Sequence, residues 1–199
     1  MFVKPKDYDT VQAYGEIQPI QLGGHIMTIM RVEIKKSKKG NDMLVIYADT
    51  APEDKQPGYY SEQWQNDTRK DKKWGCIAYQ VITAQDGSTS RGFKGFVTAV
   101  EDSNTGFATQ WGEGFEECFK GKRVGAVFGE QDYLNNENEL RTSRKIFSFR
   151  SVQAIIDGVD VPDRKELPTP KVTAGMGNPY TPRGQQGFSV IPTDDDLPF

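Results

Sequence analysis

Flat aromatic rings and cations recur side by side in this chain. Trp64 and Trp74 bracket residues 69–73, where Arg69, Lys70, Lys72 and Lys73 stand against one acid, Asp71. Residues 31–39 carry Arg31, Lys35, Lys36, Lys38 and Lys39 against a single acid, Glu33. Residues 141–150 hold Arg141, Arg144, Lys145 and Arg150 with no acid, and Phe147 and Phe149 lie among them. Cations neutralise phosphates, and an exposed ring can stack a nucleobase, worth roughly 1–3 kcal/mol per base. Rings set among cations in a polar segment favour exposed platforms over core, which singles out Trp64 and Trp74. Tyr59 and Tyr60, just upstream, lean towards packing. Each basic run taken alone reads as a solvated loop. The three form a binding path only if the fold brings them to one groove.

The far end of the chain offers a different chemistry. Asp194, Asp195 and Asp196 precede Leu197, Pro198 and Phe199. Three carboxylates can meet a basic rim while Phe199 fills a pocket, and an arginine or a backbone nest can capture a terminal carboxylate. Pro198 restricts the backbone ahead of that anchor. Three aspartates alone would read as a solvated end; the apolar hook beside them makes a docking peptide the better reading.

No catalytic constellation stands beside these. His25 is the only histidine, and inside a strand pattern it reads as structural. Cys76 and Cys118 lack metal spacing and read as thiols in a reducing compartment. No P-loop pattern occurs, and neither metal nor cofactor is expected. Carboxylate pairs such as Glu116 and Glu117 lack the architecture for Mg²⁺, so a nuclease is the weakest class.

With 199 residues, the chain suits one domain and a tail. Its net charge of −3 argues superficially against a nucleic-acid binder, but distribution matters more than the sum. No apolar run reaches about 18 residues, and the start lacks a signal-peptide pattern, so no membrane role and a cytoplasmic location are expected.

Composition breaks near Leu167. Residues 167–193 are rich in proline and glycine and poor in large apolar groups, so they cannot bury enough surface to offset ordering entropy. They read as a disordered linker holding the tip roughly 30 Å from the body. The expected division is a domain over 1–166, the linker over 167–193 and the tip over 194–199.

The body reads as mainly β. Strands are expected at 25–34, with residues 26, 28, 30, 32 and 34 on one face, and at 43–48, joined by a basic turn over 35–42. Residues 51–73 read as a long polar loop. A third strand is expected over 74–82. Phe93, Phe96, Val97 and Val100 fall at i, i+3, i+4 and i+7, which predicts a helix ending near Asn104. Strands at 124–128 and 141–152 follow, and a short helix over 151–157 closes the domain. Strict alternation in the last strand sets Lys145, Phe147 and Phe149 on one face and Arg144, Ile146, Ser148 and Arg150 on the other, with at least one of the two phenylalanines in the core. Three strands, one helix and two strands is the order of an oligonucleotide-binding (OB) fold, a five-stranded Greek-key barrel with its helix between strands 3 and 4. Its strand 1–2 loop would be the basic turn, which suits binding. Its strand 4–5 loop, about 131–140, is acidic, which does not.

The six-residue tip resembles that of bacterial and phage single-stranded DNA-binding proteins, which end in an acidic run, an apolar residue, Pro and Phe. Residues 92–104 and 121–130 are similar to divergent versions carried by phages of Gram-positive hosts. That resemblance implies a role in the cytoplasm of a bacterial host, phage-encoded or chromosomal. The body would coat single-stranded DNA, and the tip would recruit replication, recombination or repair proteins. Homo-oligomers occur in that family. The expected DNA contacts are Arg31, Lys35, Lys36, Lys38, Lys39, Trp64, Arg69, Lys72, Lys73, Trp74, Arg144, Lys145, Phe147 and Arg150; the partner contacts are residues 194–199. An adaptor that uses the tip to displace host replication proteins, without binding DNA itself, is the alternative.

Overall fold

The computed structural model describes residues 3–6, 8, 18–37, 39–84 and 86–167. Lys38, nearly all of the expected linker and the whole tip lie outside the described residues. The fold is mainly β. Five strands, β1 (Gly23–Lys36), β2 (Asp42–Thr50), β3 (Ile77–Val81), β4 (Arg123–Leu134) and β5 (Leu140–Arg150), form one antiparallel sheet in the order β3-β2-β1-β4-β5. Among the described residues three helices accompany it: α1 (Tyr59–Asn66), α2 (Arg91–Ser103) and α3 (Val152–Asp157). A 3-10 turn, Glu117–Phe119, precedes β4. Among the described residues, β3 and β5 do not pair, so the sheet stays open at that seam. No described helix is long and apolar enough to cross a membrane.

The helix expected from the Phe93 spacing is α2. Ser90 caps its start by accepting from the Phe93 N–H, and Phe93, Phe96, Val97 and Val100 are all buried. The Asn104 amide ends it, donating to the carbonyls of Val100 (2.7 Å) and Arg123 (2.8 Å). The buried face meets Met27, Ile29, Leu44, Ile46, Phe119, Phe128 and Phe149 in a single core. Each such side chain taken fully from water contributes about 1.5–3 kcal/mol.

Residues 51–73 are not one long loop, because α1 lies within them. Gly58 begins this helix in a left-handed conformation without a side-chain cap. The cap comes from β2: Asp49 accepts from the N–H groups of Tyr60 (2.9 Å) and Ser61 (3.1 Å). A carboxylate at a helix N-terminus satisfies donors that have no partner within the helix. Sequence proximity could not reveal a cap lying eleven and twelve residues from the groups it serves.

Strict alternation fails twice, each time at a bulge. In β1 the register shifts between Ile29 and Arg31, leaving Met30 as the extra residue. The inward set is therefore Met27, Ile29 and Val32, while Met30 and Ile34 are exposed. In β5 the shift falls at Phe147, the residue skipped between Ile146 and Ser148 in the pairing with β4. Ile146 then packs on the core, and Phe149 lies within it. Bulges reset which face each later side chain takes.

The β4–β5 hairpin runs past the rest of the sheet. β1 pairs β4 only over residues 123–128, while the β4–β5 ladder continues to Leu134 and Leu140. The free edge of that arm is covered by the chain after α3. Lys165 pairs with Gln131 in parallel fashion, its N–H donating to Glu130 and its carbonyl accepting from Asp132. Before that, Ile155 of α3 sits where a Cβ on Gly125 would lie, 2.4 Å from its Cγ1. Only glycine permits that approach.

Candidate nucleic-acid interface

The hairpin register sets Arg31 opposite Tyr47, and the guanidinium lies 4.2 Å from the ring centroid. A cation over a tyrosine face is worth about 0.5–1 kcal/mol at an exposed site. Glu33 ties the group together, bonding Arg31 at 3.0 Å and Lys35 at 2.8 Å and accepting from the Tyr47 hydroxyl at 3.3 Å. The Lys35 bond, with help from Arg31, holds the Glu33 carboxyl below its ordinary value. Lys36 pairs with Asp42 across the hairpin at 2.8 Å, and Lys39 is exposed at its turn.

A second cluster lies around α1. The rings of Trp64 and Trp74 are 5.9 Å apart, and the Lys72 ammonium is 4.6 Å from the Trp64 centroid. Lys72 donates to the carbonyls of Trp64 and Asp67, and Trp74 Nε1 donates to the carbonyl of Ala48 at 2.8 Å. Arg69 grips Asp67, whose carboxyl falls to about 2 through that bond. Trp64 is 36% exposed, whereas Trp74 is half-buried. Trp64 is thus the accessible ring, and Trp74 braces it. Lys73 is exposed beside them.

The two clusters are neighbours, since Tyr47 precedes the Ala48 that holds Trp74 and pairs with Ile77 of β3. Beyond Trp64, a cleft of about 420 Å³ opens in the seam between α1 and the β4–β5 arm. Gln63, Gly75, Thr142 and Arg144 contribute to its lining. Arg144 donates to the Ile20 carbonyl at 2.6 Å and reaches Glu130 at 3.4 Å. Arg31, Tyr47, Trp74, Trp64 and Lys72 thus form a candidate route over neighbouring elements, and Arg144 lines the cleft that Gln63 of α1 also lines.

Lys145, Phe147 and Arg150 do not join this route. Lys145 pairs with Gly129 in the arm. Phe147 fills the space of a missing Gly129 side chain, where a Cβ would come 2.7 Å from its ring, and Lys165 covers it at 4.2 Å. That half-buried ring has Lys165, from the chain after α3, over its face. Arg150 faces a shallow depression beside α2 with Arg91 and Lys94. Part of the acid of the arm, unfavourable for DNA from the sequence, braces it: Asp132 meets Arg164 at 2.6 Å and Glu139 meets Arg141 at 2.6 Å, while Glu130 makes only a long contact of 3.4 Å to Arg144.

Tyr47 and Gln63 were not singled out from the sequence. Counting back from the hairpin turn places Tyr47 opposite Arg31; Gln63 gave no such signal, because its position depends on α1. His25, expected to be structural, is fully buried, hydrogen-bonded through Nδ1 to Asp54 (2.9 Å) and through Nε2 to the Gln21 carbonyl (2.9 Å). Among the described residues, no three His, Cys, Asp or Glu side chains cluster as metal ligands. Burial pushes the Cys76 thiol up to about 12, which leaves it inert at neutral pH. In comparisons with known proteins, the chain matches no family model and no curated protein sequence.

Proposed function

We propose that this chain is a sequence-independent single-stranded DNA-binding protein with an OB-type barrel, whose acidic tip recruits replication, recombination or repair proteins. The observation that carries the reading is the run of Arg31 on Tyr47, Trp74 on Trp64 and Lys72 on Trp64 across neighbouring elements. Such a run supplies alternate phosphate partners and ring faces, the two requirements for holding a strand without reading it. The sheet order supports an OB barrel, in which strand 1 lies between strands 2 and 4. Binding exchanges one partner for another: the carboxylates of Glu33, Asp42 and Asp67 leave their cations, and phosphates take their place. Exposed pairs of this kind are worth about 0–1 kcal/mol, so they present a low barrier.

Fluorescence titration with oligo-dT tests the reading. Tight binding that weakens steeply with salt is expected, with a log–log slope of about −0.7 per phosphate contacted. Salt-insensitive binding overturns it. Removing residues 194–199 should leave DNA affinity equal or higher and abolish capture of partner proteins.

A second reading has one observation in its favour. Arg31, Lys35, Lys36, Arg69 and Arg144 each already sit on a carboxylate of the same body. A body so neutralised suits an adaptor that works through the tip alone. The same titration separates the two, since the adaptor does not bind oligo-dT.

A further inference from the structure

We infer that the seam cleft between α1 and the β4–β5 arm takes one nucleobase out of the bound strand, and that it favours a base carrying an exocyclic amino group over thymine. The inference rests on the DNA-binding reading above and assigns a preference within it.

The cleft and the Trp64 platform are carried by the same helix, since Gln63 of α1 lines the cleft. Its apolar wall is made by Ile20, Tyr59 and Tyr60, the two rings standing edge to face at 4.9 Å. Tyr59 is fixed in place, since its hydroxyl accepts from the Ile20 N–H at 2.9 Å. Burial pushes that hydroxyl's pKa up, so it stays neutral. At about 420 Å³ the cleft is near the small end of ligand sites, a volume suited to one planar heterocycle.

The polar side of the cleft determines which heterocycle. Glu130 supplies a carboxylate, and its contact to Arg144 is 3.4 Å, too long for a full-strength bond, so acceptor capacity remains. Beside it stand the Arg144 guanidinium, a donor, and the Gln63 amide. Cytosine presents an N4 amino donor next to ring acceptors, the complement of a carboxylate next to a guanidinium. Thymine presents O4, an acceptor, where cytosine has its amino group. A carboxylate facing that carbonyl leaves two acceptors opposed. The preference adds to a binding path that otherwise ignores sequence, and it acts at one nucleotide for each bound body.

Competition titrations of the full chain with dC30 and dT30 at fixed salt test this. The wild type should bind dC30 about 5-fold more tightly. Glu130→Gln should erase the difference, chiefly by raising dT30 affinity, because the new amide can donate to thymine O4. Gln63→Ala, at a part-buried position of α1, should narrow it and serves as a second variant if Glu130→Gln disturbs folding. Equal wild-type affinity for the two oligonucleotides overturns the cleft assignment and leaves the DNA-binding reading standing. A discrimination that survives both substitutions also overturns it. Failure to bind either oligonucleotide overturns both.

Discussion

The two long ladders of the sheet carry the same irregularity with opposite results. β1 and β5 each have one bulge, at Met30 and at Phe147. Met30 is 42% exposed. Phe147 is half-buried, packed onto Gly129 and covered by Lys165. A bulge rotates a side chain outward; whether that side chain then meets solvent depends on what later chain arrives to cover it. The same contrast runs through the charges. In the β1–β2 hairpin, exposed cations sit on the part-exposed carboxylates of Glu33 and Asp42, which a phosphate can replace. In the β4–β5 arm, Arg164 braces Asp132 against Thr142, so the cation is committed to the fold.

The sharpest break of this contrast is on the inward side of β5. Phe149→Ala should cost about 3–5 kcal/mol, because its ring stacks edge-on against Phe96 at 5.0 Å within the core. A urea titration followed by tryptophan fluorescence would show it as a large fall in midpoint. Next comes Gly129→Ala, where the new methyl must displace the Phe147 ring. About 1–3 kcal/mol is expected, with Phe147 more accessible to collisional quenchers or proteases in the variant. Met30→Ala, at the matching bulge of β1, should change stability by less than about 0.5 kcal/mol. Equal costs at the two bulges would show that the strap after α3 does not cover the arm.

A subtler test concerns the root of β1. Burial pushes the Asp54 carboxyl up, but bonds from His25 and from the N–H groups of Gln56 and Ile26 outweigh it, leaving the pKa below the ordinary 3.8. A group depressed in the folded state stabilises above its unfolded value, and that contribution disappears as pH falls through its folded value. Asp54→Asn should therefore lose stability relative to wild type at pH 7, with the gap closing below about pH 4. Thermal melts at several pH values would check the sign. A gap that widened on acidification would contradict it.

Periodicity exposed α2 and the strand sequence, because those depend on neighbours within one turn or one hairpin. Helix α1 escaped it, since its cap, Asp49, comes from a different strand. The two bulges escaped as well: nothing in the local composition of Met30 or Phe147 marks an extra residue, and only the partner strand defines one. The candidate site was legible in kind, rings among cations, and partly in membership. Trp64, Trp74 and Lys72 come together because α1 and the entry to β3 meet. Phe147 and Arg150 part from them because the bulge and the end of β5 turn them elsewhere.

The chain after α3 has one more property. Lys165 joins β4 in parallel, so the backbone there travels the same way as β4, towards the tip of the arm. Any tension arriving from beyond Leu167 along that direction loads the bonds of Lys165 to Glu130 and Asp132 side by side, in shear. Bonds loaded in shear share the force, whereas bonds peeled open fail one after another. The last described stretch of the body is thus built as a mechanical joint, with the Arg164–Asp132 ion pair beside it.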